Sequence, residues 1–488
     1  MKDKILKTVT PESVGVPSEA VLDYIGTLEK KGVNLHSFIM LKDGKIFAEG
    51  YYPPFSEERL QRLYSVSKSF TAVAVGLMAD EGKIKISDKI CKYFPEYLPP
   101  NIHPFLSDMK IEDMLKMSTC FTDYMDFEFD SKWKEKYFSY KPDHPAGTIF
   151  RYSTMATHML AVLVEKLSGK KLLDYMRERM LDEIGFSKEA WCVEAPDGNS
   201  WGGSGIMATL RDLAKFAMVL LNGGRFNGKQ LISEEFVNKA TTTQIDVDVD
   251  EGGFWKGYGY QIWTMKDGSF CFRGMGSQHA ICIPHKNMVV CLTCDNQGIP
   301  NNDALIFEEL FERFVPAVTD EKLTEGKAFD DLTKKFKTLC LKLQKGEMKS
   351  SYDKIINGAA YKLSDNVMNI SKVKFLLNDD EGAVTLFTER GEKTVKFGFG
   401  KNVAFEFPED YYYERIGTNS KKHYPALASA AWTDDMKLTV RIYTVGAYLG
   451  NITMAFSFKG DDIGIMMIKN AEWFFDEYHG YAGGTKEE

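Results

Sequence analysis

Ser65 and Lys68 stand three residues apart in Leu63-Tyr64-Ser65-Val66-Ser67-Lys68-Ser69-Phe70. On a helix that spacing makes them neighbours on one face. Residues 70–79 carry no charge and place apolar side chains all round, and such a helix belongs inside a protein. The helix start favours negative charge, and a buried lysine gives up its proton more readily than a free one. A serine hydroxyl beside such an amine is an activated nucleophile. The same spacing recurs at Ser107, Ser131, Ser168, Ser351 and Ser371. Ser107 precedes a short helix, residues 111–117, but Glu112, Asp113 and Lys116 make that helix amphipathic. Position at the mouth of a buried helix sets Ser65 apart from most of these serines.

The elements that would hold this pair follow from periodicity and turn chemistry. Residues 37–41 and 46–52 read as two strands around Asp43-Gly44, a strong hairpin signal. The helix after Ser65 ends at Glu81-Gly82, where a glycine cap fits. Further helices are expected at 155–167, 172–184, 209–221 and 303–315, with a tight loop at Gly202-Gly203-Ser204-Gly205. Strands are expected at 258–265, 269–273, 278–284 and 288–294. A hairpin near the start and a meander near residue 290, with helices between, predict one antiparallel sheet built from both ends and flanked by helices. Residues 319–345 read as a charged, helical connector. Beyond them come short β-rich runs at 372–377, 383–388, 393–398, 403–407, 437–444, 451–458 and 463–468. Many short strands with turn signals predict an antiparallel barrel or sandwich. The fold class is therefore α+β, with domains at 1–316 and 346–488 joined by a connector at 317–345.

Composition narrows the function. The chain has 488 residues, 44% hydrophobic and 27% charged, as in ordinary globular proteins. A net charge of −8 and the lack of a basic stripe argue against a nucleic-acid partner. The first residues show no apolar signal-peptide core, and no apolar run approaches the ~20 residues of a membrane span. Eight scattered cysteines read as reduced thiols of a cytoplasmic protein. Cys291 and Cys294 lie three apart on an expected strand and so face opposite ways. With no His-Glu-x-x-His motif, neither a metal nor another cofactor is expected. A Gly-x-Ser-x-Gly elbow is also missing, which argues against an α/β-hydrolase.

Three motifs occur in the order Ser65-Val66-Ser67-Lys68, Tyr152-Ser153-Thr154 and Arg273-Gly274-Met275-Gly276-Ser277-Gln278. Together they resemble the serine β-lactamase and penicillin-binding family. The similarity is greatest to the class C-like branch with its esterases, D-peptidases and 6-aminohexanoate-dimer-type amidases. Pro11-Glu12-Ser13-Val14-Gly15, Asp80-Glu81-Gly82-Lys83 and residues 203–216 are also family-like, and the resemblance covers roughly residues 8–315. It implies a β-lactamase/transpeptidase-like sandwich with a helical subdomain, and a serine hydrolase acting through an acyl-enzyme on a small-molecule or short peptide-like substrate. It implies Ser65 as nucleophile, Lys68 as its proton holder, and Tyr152 as partner base and then acid. Gly276, Ser277 and Gln278 would form the oxyanion and substrate wall, and Asp123, Tyr124, Thr154 and Arg273 would contact substrate. The alternatives within the family are a β-lactamase or a D-Ala carboxypeptidase. A non-catalytic sensor or scaffold is the alternative of another class. Thr154 stands where the family usually has Asn, Cys120 where Gly often follows Ser-Thr, and Met275 where many relatives have His or Thr. These departures bear on substrate class. Met275 cannot donate to a carboxylate, so esters or amides without one are the expected substrates, with poor β-lactam turnover.

Overall fold

The computed structural model describes residues 5–122, 131–248, 253–299, 301–410, 423–471 and 474–487. The chain forms two compact units. The first runs through Asn296 and resumes as far as Cys340; the second starts at Leu341 and includes Gln297–Ile299.

In the first unit a nine-stranded sheet is assembled from both ends of the unit. Its order is Lys7–Thr8, Lys45–Tyr51, Leu35–Lys42, Met288–Cys294, Gln278–Ile283, Phe270–Gly274, Trp263–Met265, Trp255–Tyr258 and Ile245–Asp246. All pairings are antiparallel except that of the first short strand. The hairpin strand Leu35–Lys42 lies beside Met288–Cys294, pairing Ile39 with Cys291. Leu35–Lys42 is buried along its whole length because both faces are covered. On one face, Ile39 and Leu41 join the core shared with the helices. On the other, Phe38 meets Phe336 edge-on at 5.3 Å. The alternation is the period of two that any strand imposes.

The central helix, Ser67–Asp80, is buried over its first twelve residues. Phe70 stacks on Phe216 of the helix Leu210–Leu221 at 3.7 Å. Thr154–Ser168 packs beside it as part of a helical subdomain with Ile111–Leu115, Trp133–Ser139 and Leu172–Met176. Four expected elements differ, one of them the helix expected at 303–315, which is α-helical over Asn302–Glu308 and then widens into a π turn, Glu309–Phe314. The strand expected at 258–265 is two strands, because Gln261 adopts a left-handed φ of 59° and turns inward. Its amide donates to the carbonyls of Met114 and Leu115, and its Oε1 accepts from Thr157. The helix expected at 172–184 is α-helical only to Met176 and then widens into a π turn, Arg177–Leu181. Within the expected helical connector, the helix is confined to Lys327–Phe336.

The second unit is a closed barrel, antiparallel at every pairing but the closing one, which is parallel. Its ten strands run from Ala360–Leu363 to Gly480–Lys486. Gly391–Phe399 comes round to pair with His423–Asp434 through Gly398–Ser429 and Phe399–Ala430, which closes the sheet. Aromatic rings fill the interior: Phe375 meets Phe456 edge-on at 5.1 Å, and Tyr424 stacks on Phe474 at 5.3 Å. Among the described residues no helix is long and apolar enough to cross a membrane.

The fully buried Phe70 is the joint between the central helix and the rest of the first unit. Phe70→Ala is expected to cost about 3–5 kcal/mol in equilibrium urea unfolding of that unit. A loss under about 1 kcal/mol would mean that the ring stack is not a support of the helix.

Candidate active site

Ser65 lies in a single 3-10 turn, Tyr64–Val66, that runs directly into the central helix. The turn starts from a strained residue: Tyr64 is buried with φ at 48°. A left-handed non-glycine residue costs on the order of 1–3 kcal/mol and persists only where its surroundings hold it. Arg62 supplies part of that hold. Its guanidinium lies 4.4 Å from the Tyr64 ring centre and 4.8 Å from that of Trp201. Its Nε donates to the Ser204 carbonyl at 3.1 Å.

The Nζ of Lys68 lies 3.0 Å from Ser65 Oγ and donates to the Gly203 carbonyl at 2.6 Å. Lys68 is fully buried, and burial pushes its amine well below the ordinary lysine value. The neighbouring hydroxyls are engaged elsewhere. Ser67 Oγ accepts from the Ile206 amide, Ser69 donates to the Gln261 carbonyl, and Thr71 donates to the Gly202 carbonyl. Of the polar residues in the first turn, Ser65 is thus the one whose hydroxyl meets the amine. The loop that brings Gly203 in has no room for side chains. A Cβ on Gly202 would lie 2.5 Å from Thr71 Oγ1, and one on Gly203 would lie 2.9 Å from the Thr154 carbonyl oxygen. Thr154, first residue of its helix, therefore flanks the loop that carries the lysine's acceptor.

Tyr152 lies just before that helix with its ring centre 4.9 Å from Lys68 Nζ. The ring stacks on Trp263 at 6.1 Å and meets Tyr258 edge-on at 6.3 Å. The strand Phe270–Gly274 forms the facing wall. A Cβ on Gly274 would come within 2.5 Å of the Leu63 carbonyl oxygen and 3.2 Å of the Ser65 nitrogen. Only glycine lets that strand approach the serine so closely. Beyond it the turn carries two successive left-handed residues, Gly276 at 74° and Ser277 at 66°.

The remaining residues singled out from the sequence are placed as follows. Gln278 is buried and braces the wall, donating to the carbonyls of Met275 and Cys294. Arg273 pairs with Asp303 at 2.7 Å and lies against Trp255 and Trp263. The Ser277 hydroxyl also donates to Asp303. Met275 is exposed beside the site. Asp123 and Tyr124 lie outside the described residues. All eight cysteines are free. Among the described residues no cluster of three His, Cys, Asp or Glu side chains could hold a metal.

Several components of the site carry no motif. The Gly203 carbonyl is backbone, and only the glycine run hints at a crowded loop. Asp303 is one acidic residue in an ordinary helix start, and Trp263 one aromatic in a strand. Asp303 is partly buried. Burial raises its carboxyl, but the His279, Arg273 and Ser277 donors outweigh this and hold it well below the usual range.

A family model described as Beta-lactamase matches residues 28–308, more than half of the chain. The 6-aminohexanoate-dimer hydrolase of Paenarthrobacter ureafaciens is 24% identical over 222 residues, covering 41% of this chain and 55% of the relative. The chain thus spans about half the length of that curated relative. A solved octameric penicillin-binding protein homologue from Pyrococcus abyssi aligns over 95% of this chain and 99% of its own, at a TM-score of 0.50 and 14% identity. A D-amino acid amidase from Ochrobactrum anthropi SV3, complexed with L-phenylalanine, aligns over 61% of this chain and 97% of its own, at 0.50 and 15%. These structures share the fold, and the first alignment reaches into the barrel unit that the sequence motifs left uncovered. With the helix-flanked antiparallel sheet, the serine and lysine at the mouth of its buried helix, and the family match across both, the chain belongs to the beta-lactamase family.

Proposed function

We propose that this protein is a serine hydrolase that turns over an ester or amide through an acyl-enzyme, with Ser65, Lys68 and Tyr152 as its centre. The observation that carries this reading is the fully buried Lys68 amine at 3.0 Å from Ser65 Oγ. An amine without water around it favours its neutral form, and a neutral amine can take the hydroxyl proton as Oγ attacks the substrate carbonyl carbon. The Gly203 carbonyl holds one N–H, which leaves the second N–H and the lone pair to share the two remaining positions on the nitrogen, one of them toward Ser65 Oγ. A C–O bond forms to Ser65, the proton moves to Lys68, and negative charge collects on the former carbonyl oxygen. The backbone N–H groups of Ser65 and Ser277 are assigned to that oxygen, a task in which one donor is worth about 10²–10³ in rate. Tyr152, beside the lysine, passes the proton to the leaving oxygen or nitrogen as its bond to the acyl carbon breaks. Water then reverses the route and frees Ser65.

The surroundings support a substrate without a carboxylate near the wall. Arg273 is taken by Asp303, and the exposed side chain beside it is Met275. Trp263, on the neighbouring strand, and Tyr152 stacked on it add aromatic surface beside that wall. One relative is named a 6-aminohexanoate-dimer hydrolase and one structural neighbour a D-amino acid amidase, which supports an amide as readily as an ester.

Covalent labelling by a fluorophosphonate tests the nucleophile. Wild type is expected to gain one adduct on Ser65, and Ser65→Ala none. Persistent labelling at Ser67, Ser204 or Ser277 would reject the assignment, and a wild type that takes no label would favour a binding-only protein.

Nitrocefin tests the substrate class. A charge-assisted hydrogen bond to its carboxylate is worth about 1.5–3 kcal/mol, and Met275 cannot make one. Turnover is expected to stay well below the ~10⁷–10⁸ M⁻¹s⁻¹ of the fastest enzymes; a kcat/KM in that range would contradict the substrate reading.

A further inference from the structure

The two walls of the site share one anchor, the carboxylate of Asp303 at the start of the helix Asn302–Glu308. One oxygen, Oδ1, accepts from the Ser277 hydroxyl and from His279 Nε2, the latter at 3.0 Å. The other, Oδ2, accepts from Arg273 Nε at 2.9 Å and Nη2 at 2.7 Å. Four donors thus converge on one carboxylate, about its full acceptor capacity.

Each oxygen leads to a different part of the centre. Through Oδ1, Asp303 holds Ser277, a non-glycine residue in a left-handed conformation. Such a residue needs a restraint to stay there. Asn296 adds a second one, donating to Ser277 Oγ at 3.0 Å while its backbone amide donates to the Gly276 carbonyl. This turn follows directly on Gly274, whose backbone lies against Ser65. Through Oδ2, Asp303 holds Arg273, whose guanidinium lies 5.5 Å from the ring centre of Trp263. Trp263 in turn stacks on Tyr152, and Tyr152 lies beside Lys68.

We propose that Asp303 is the positioning residue of this active site: it fixes the Ser277 turn opposite the nucleophile and, through Arg273 and Trp263, the ring of Tyr152. The proposal rests on the reading of Ser65, Lys68 and Tyr152 as the reacting groups. Asp303 itself touches no substrate. It acts by holding the turn and the ring stack near Ser65 in one frame, and its acceptor positions are spent on the protein. Asparagine has the same shape but keeps a single acceptor oxygen and turns an N–H₂ toward donors. Asp303→Asn should therefore loosen the turn and the stack together, while Ser277→Ala loosens the turn alone.

The test is steady-state hydrolysis of a p-nitrophenyl ester by wild type, Ser65→Ala, Ser277→Ala, Asp303→Asn and the Ser277→Ala/Asp303→Asn double variant, with thermal unfolding run on each. A displacement of about 1 Å costs roughly 100-fold, so Asp303→Asn is expected to lower kcat by about 10- to 100-fold with KM changed by less than about threefold. Ser277→Ala should lose part of this, and the double variant little beyond Asp303→Asn alone, as for residues that act as one unit. Affinity for a phenylboronate, whose tetrahedral adduct needs the oxyanion donors, should fall in parallel with kcat/KM. Wild-type kcat in a folded Asp303→Asn, or a raised KM at unchanged kcat, would overturn the proposal. If Asp303→Asn does not fold, Ser277→Ala decides: unchanged kcat and boronate affinity there would also overturn it. Full activity in Ser65→Ala would instead overturn the reading of the nucleophile, which separates the two failures.

Discussion

Removal of one lysine amine from water is the constraint on which the rest of the first unit turns. Burying a charged ammonium costs several kcal/mol unless it is compensated, and among the described residues no carboxylate pairs with Lys68: it meets a hydroxyl, a carbonyl and an aromatic ring. The inexpensive state there is the neutral amine. The seal is built from the apolar faces of the central helix, from Phe70 stacked on Phe216, and from a glycine loop pressed against Thr71 and Thr154. In that sense the stability of the helix and the chemistry at its mouth come from the same packing.

The second constraint is closeness. The strand Phe270–Gly274 reaches the serine only because Gly274 lacks a side chain, and the turn after it places two left-handed residues in sequence. Tyr64 holds a third such conformation on the other side of Ser65. Strain therefore brackets Ser65. The groups that restrain it, Arg62 with Ser204 on one side and Asp303 with Asn296 on the other, are buried or partly buried polar contacts drawn from distant parts of the chain.

Much of this frame was legible in the sequence, for identifiable reasons. Met288–Cys294 is an apolar run interrupted only by Thr293 and preceded by turn residues, and the central helix is apolar on every face beyond its first turn, so both are visible from pattern. The Ser65–Lys68 pair was visible because one helical turn fixes its spacing. The break at Gln261 was not, because its inward turn depends on the carbonyls of Met114 and Leu115, nearly 150 residues away. Asp303 was hidden for the same reason: its four donors come from other elements and leave no local spacing to read. In the barrel, His423–Asp434 carries little strand signal because its run Ala426–Leu427–Ala428–Ser429–Ala430–Ala431 lacks β-branched residues and follows Pro425. Tertiary pairing on both sides makes it a strand against that local preference.

The chemistry proposed for Ser65 therefore turns on the protonation state of Lys68 in the resting protein. The direct measurement is a pH titration of the lysine side-chain carbon and nitrogen resonances in ¹³C,¹⁵N-lysine-labelled protein, with Lys68 assigned by its loss in Lys68→Arg. The account predicts a Lys68 midpoint well below the ordinary value of about 10.4, with the neutral amine present at working pH. A Lys68 that stays protonated up to the ordinary lysine range would contradict it.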